Sequence, residues 1–154
     1  MNQFTLNTDF FSLGLIFAGF IIGLGAVTVI DIHGFLAQKS KYWTESTIRA
    51  HKVTKPLIWL GIFLLSIGKI ILYQTKDTTD VNELDLILIS TLIINGCFLS
   101  FNISPKLLAQ EKAGKIAQLL PTQMQNKIKV SFIFSVIGWW GLFLLTIFRI
   151  TQNF

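Results

Sequence analysis

His33 and His51 are the only imidazoles in the chain, and they flank one basic, hydrophilic stretch, QKSKYWTESTIR, at similar distances. Two imidazoles brought to one height on neighbouring helices are what a six-coordinate haem iron requires, and the interior of a helical bundle is where such sites are built. The surroundings suit that chemistry. Arg49, Lys52 and Lys55, with Lys39, are placed to meet propionates, and Trp59 could flank a macrocycle. The same histidines with Asp31 form a candidate metal set, His33, His51 and Asp31, although a hydrolytic zinc site needs a third ligand, for which only Asp31 or Glu45 is near in sequence. The competing reading is structural: an imidazole near a membrane surface can hydrogen-bond to a carbonyl or a lipid headgroup, and lysines at such ends are expected with no ligand.

Those residues must be positioned by membrane helices. Hydrophobic residues make up 52% of the chain and charged ones 14%, with mean hydropathy +0.62, a balance outside that of soluble domains. Apolar stretches at about 10–36, 56–73, 84–103 and 128–150 are each long enough to cross a hydrocarbon layer about 30 Å thick. Lipid offers backbone amides no partner, so each span is predicted to be helical. The expected fold is therefore all-α: one transmembrane domain over 1–154, an integral four-helix up-and-down bundle in the lipid bilayer.

Cations set the expected orientation. Lys39, Lys41, Arg49, Lys52 and Lys55 fall between spans one and two, and Lys106, Lys112, Lys115, Lys127 and Lys129 between spans three and four. The remaining connection holds Lys76 against Asp77, Asp80 and Glu83. The excess of positive charge in two loops puts them in the cytoplasm and both termini outside, as in a multi-pass protein of a bacterial cytoplasmic (inner) membrane. This also accounts for the net charge of +5, and no basic, aromatic-interleaved soluble face suggests nucleic acid. Met1 to Asp9 lacks Lys and Arg, so span one is expected to remain in the mature protein rather than act as a cleaved signal.

Each span carries a further clue. Span one is rich in small residues, including Gly19 and Gly23, which let a neighbouring backbone approach. His33 lies within about 40° of Gly19 around the helix and is expected to face inward, whereas Asp31 lies about 120° away. Pro56 either opens span two or kinks a helix begun near Ser46. Thr91, Asn95 and Asn102 form one stripe on span three, and an interfacial helix is expected between Pro105 and Pro121. Trp139 and Trp140 imply packing or contact with a flat ligand. Lys69 and Arg149 lie near the outer ends of their spans, where snorkelling explains them. Cys97 has no histidine at its depth to activate it, and no phosphate-binding glycine loop is present.

A glycine-bearing first span ending in His33, a basic turn, then RAHKVTKPLIWLGIFLL, with four spans in all, resembles the small bacterial membrane proteins that include the four-helix protoporphyrinogen oxidase of haem synthesis and the related copper-resistance membrane domain. The resemblance implies the bundle and favours haem-related binding; haem b is the candidate cofactor, the alternative being none. Where that oxidase family has a histidine near the start of span one, this chain reads Phe11, Ser12, Leu13, Gly14; where it has a basic pair beginning span three, this chain has Glu83 and Asp85. The oxidase activity is therefore not implied. Three functional classes follow: haem or porphyrin binding through the histidine pair, an accessory or assembly subunit contacting a protein partner in the membrane or forming a homo-oligomer, and a small-solute or ion transporter.

Overall fold

The computed structural model describes residues 3–75 and 83–152, and within them the chain is helical with no strand. Helix α1 spans Gln3–Leu36, α2 Lys41–Thr75, α3 Glu83–Phe98, α4 Ser104–Lys112 and α5 Thr122–Gln152, with a π-helical segment at Leu99–Ile103 joining α3 to α4. Four helical units are long and apolar enough to cross a membrane: Thr8–Leu36, Lys41–Gln74, Glu83–Lys112 and Thr122–Gln152. Lys76, Asp77 and Asp80 lie outside the described residues.

Helices α1 and α2 form the tightest pair, and small residues explain why. A side chain on Gly61 would run into the backbone of Gly23 and Gly19, and one on Gly19 would meet the amide of Leu65 at 2.7 Å. The two backbones therefore touch over this stretch, where dispersion contacts replace the hydrophobic drive that lipid does not supply. At the turn, the Thr44 hydroxyl lies 2.9 Å from the carbonyl oxygens of both Ala37 and Ser40, bonding the start of α2 back to the residue that follows α1.

Pro56 neither opens a helix nor ends one: α2 runs unbroken from Lys41. The hydroxyls of Thr47 and Thr54 return to carbonyls four residues back within this stretch. Pro105 acts differently. It sits at the start of α4, directly after the π segment, in which the Ser104 amide donates to Leu99, five residues back instead of four. A π turn takes up one extra residue and lets the helix accept a ring that cannot donate an amide hydrogen.

The segment between Pro105 and Pro121, where a helix is expected, divides in two. Helix α4 continues the third span, and from Ala113 the chain turns at Gly114, whose φ of +69° lies in the left-handed region. Gln110 Nε2 braces that turn by donating to the carbonyls of Lys115 and Gln118. Packing holds this segment against the bundle: Leu107 and Leu120 join Ile48, Ile103 and Met124 in a buried cluster beside the α1–α2 turn. A larger core of Ile16, Phe20, Ile62, Leu65, Leu92, Trp139 and Leu142 fills the middle of the molecule.

Candidate functional site

Between these two cores lies a cavity of about 310 Å³ walled by α1, α2, α3 with its π segment, and α5. Apolar side chains, among them Ile30, Ile58, Ile62, Leu92 and Phe132, make most of its wall, and Trp139, 1% exposed, closes its deep end. Into it project Asp31, His51, Lys55, Trp59, Asn95 and Ser131. A largely apolar space with a few convergent polar groups is the usual form of a small-molecule site.

Most of the polar groups are tied across helices. Trp59 Nε1 donates to Ser100 Oγ at 3.1 Å, which fixes the indole against the π segment. Asn95 and Ser131 pair reciprocally: the serine hydroxyl donates to Asn95 Oδ1 at 2.6 Å while Asn95 Nδ2 donates to the Ser131 carbonyl at 3.2 Å. Asp31 meets the Ser135 side chain of α5. Lys55 Nζ lies 3.4 Å from Ser104 Oγ. His51 differs from all of these, because its Nε2 is buried and has no hydrogen-bond partner among the described residues. A buried polar atom left without a partner costs about 1–3 kcal/mol, so such atoms call for an explanation.

The sequence-predicted residues divide cleanly. Asp31, His51, Lys55 and Trp59 share the cavity wall. His33 is not among its lining residues: its Nδ1 donates to the Val29 carbonyl at 2.8 Å and its ring packs edge-on against Trp43, centroids 5.2 Å apart. Arg49 binds Glu45 one turn away and Lys52 binds Glu111, both at 2.7 Å, outside the cavity. Among the described residues no group of three His, Cys, Asp or Glu side chains is close enough to hold a metal ion, so the set His33, His51 and Asp31 is not gathered.

The reason lies in what Gly19 faces. Aiming His33 by the direction of Gly19 assumes that glycines point to the bundle axis, whereas Gly19 points at Leu65 of α2. His33 therefore turns toward α2, and the face carrying Val27, Asp31 and Gly34 turns to the cavity. Height is a separate matter. Continuing toward the turn the antiparallel register in which Gly19 meets Leu65 and Gly23 meets Gly61 brings His33 roughly level with His51.

A second polar centre was not foreseen. At the opposite end of the bundle, Lys69 and Arg149 do not snorkel but turn inward onto Asp85 of α3, which is fully buried. Lys69 Nζ lies 3.1 Å from Asp85 Oδ2, Arg149 Nη1 reaches the same oxygen at 2.5 Å, and the Tyr73 hydroxyl donates to it. The signal available in sequence was depth: each of these residues lies a few positions inside the same membrane surface, where an acid and two bases on three helices are within reach of one another.

No known family model, characterised protein or solved structure matches the chain.

Proposed function

We propose that the chain is an N-out, C-out, up-and-down four-helix protein of a bacterial cytoplasmic membrane, and that its cavity binds an amphipathic anion, with haem as the specific form its residues suit. The observation that carries this is the His51 Nε2 atom, buried and partnerless in the wall of a cavity that also presents Lys55 and Trp59. An imidazole nitrogen in that position is available to an iron or to a ligand hydroxyl. Lys55 supplies the charge that a carboxylate or phosphate head would meet, and the deep apolar end at Ile62, Leu92 and Trp139 takes the body of the molecule.

Orientation rests on the cations of the two loops that flank the cavity end of the bundle. The resemblance to the haem-synthesis oxidase group points the same way, but the ligation proposed is by His51 alone, since His33 is engaged with Val29 and Trp43. Bound haem would bring one-electron redox chemistry through its iron. The chain's own part is to hold the ligand between Trp59 and the α5 wall and to exclude water from its apolar face. Titration of the detergent-purified protein with haemin tests this. A Soret shift that saturates at one equivalent and is lost in His51→Ala is expected; a spectrum identical to haemin in empty micelles would defeat the haem form.

A further inference from the structure

Among the described residues, the buried hydroxyls toward the opposite end of the bundle, Ser12 and Thr146, are spent on carbonyls of their own helices. Below Trp139 come Leu65, Leu142 and Ile16, each at most 1% exposed, packed as one core. Helix α1 offers no gap there, because a side chain on Gly68 would meet the Ser12 carbonyl and the Ile16 amide within 2.9 Å. One turn beyond Leu65 stands Lys69, and two turns beyond Leu142 stands Arg149, both committed to Asp85. A dry plug is thus capped by an ionic knot that joins α2, α3 and α5, the same three helices that wall the cavity together with α1.

Among the described residues the knot converges on the Asp85 carboxylate. Asp85 Oδ2 receives Lys69, Tyr73 and Arg149, while Asp85 Oδ1 is buried with no partner among the described residues. Charges taken out of water at such a point are stable only with their counter-ion in place, and removing one member leaves the others uncompensated. Asp85 is thus the residue through which α3 is bonded ionically to α2 and α5 there.

We infer that the Asp85 knot keeps the end of the bundle opposite the α1–α2 turn shut, so that the cavity is not reached from that end. This rests on the cavity named under the proposed function but not on which ligand fills it. The arrangement assigns Asp85 the part of a latch. If a solute ever crosses the molecule, that bond set must break first.

Thiol labelling tests the inference in sealed proteoliposomes, with Cys97→Ser as background. Lys39→Cys, in the α1–α2 turn, defines the near side, and Ser100→Cys reports the cavity. A membrane-impermeant methanethiosulfonate reagent is expected to modify Ser100→Cys from the Lys39 side about tenfold faster than from the other, with far-side modification rising by about tenfold when Asp85→Asn shifts the closed population. Asp85→Glu should keep the far side closed. If Asp85→Asn fails to fold, Arg149→Gln carries the same test and must also open it. Equal labelling of Ser100→Cys from both sides overturns one-sided access. Far-side labelling that neither Asp85→Asn nor Arg149→Gln increases overturns the latch. A failed haemin titration leaves these results unaffected.

Discussion

Gly61 lies against Gly23 with no room between their backbones: a Cβ on Gly61 would stand 2.6 Å from the Gly23 amide and 2.9 Å from the Gly19 carbonyl. Backbone atoms cannot rotate away as a flexible side chain can. Gly61→Ala should therefore separate α1 from α2 and destabilise the protein by about 1–3 kcal/mol, the range of overpacked cores. Thermal unfolding in micelles would show it as a lowered midpoint. Gly25→Ala is the control, since nothing lies within 4 Å of that position, and its midpoint should not move.

Removing the Asp85 carboxylate leaves Lys69, 3% exposed, without its ion-pair partner among the described residues, and takes the same acceptor from Arg149. Breaking a buried ion pair from one side costs about 3–5 kcal/mol. Asp85→Asn should thus be much more destabilising than Glu45→Gln, whose partner Arg49 is largely exposed. Equal midpoints for the two variants would mean that Lys69 and Arg149 reach the headgroups after all.

The two histidines should behave differently. His51→Ala is expected to abolish haemin binding, whereas His33→Ala should retain it, because His33 lies outside the cavity and spends its Nδ1 on Val29. Absorption titrations of both variants decide the matter. Loss of binding in both would restore a paired-imidazole site and require the His33 ring to swing away from Trp43.

Asn95 and Ser131 form the polar bridge between α3 and α5 within the cavity wall. Interhelical hydrogen bonds in membranes average about 0.6 kcal/mol of coupling and reach about 1.7. A double-mutant cycle of Asn95→Ala and Ser131→Ala should give a coupling in that range. A value indistinguishable from zero would show that both groups find equal partners when the pair is broken.

What could be read from the sequence follows what composition and spacing encode. Lipid dictates helices, so the four spans were legible from their apolar runs alone. The helices nevertheless start earlier than hydropathy suggests: α2 begins at Lys41 and α5 at Thr122, because polar residues outside the hydrocarbon can stay helical. His51, Lys55 and Trp59 were legible as neighbours because one helix carries them on one face. The stripe of Thr91, Asn95 and Asn102 was misread for a specific reason. The π segment at Leu99–Ile103 inserts an extra residue into the turn, so a period of 3.6 loses its phase there; Asn95 lines the cavity and Asn102 is exposed. Long-range partners were the least accessible. Nothing in the spacing of Lys69, Asp85 and Arg149 states that three separate helices will turn them toward one point.

The 35 residues of α2 extend about 50 Å, whereas the hydrocarbon layer is about 30 Å thick, and a tilt of even about 40° lengthens the path to only about 39 Å. A leading portion of this helix must therefore stand proud of the lipid tails as a stalk, and its polar residues Lys41, Glu45, Arg49 and Lys52 are suited to water. His51 and Lys55 stand ten and fourteen residues along this helix from Lys41. A ligand held by His51 and Lys55 as proposed above would then meet the protein at headgroup level, within reach of both the leaflet and the water beside it.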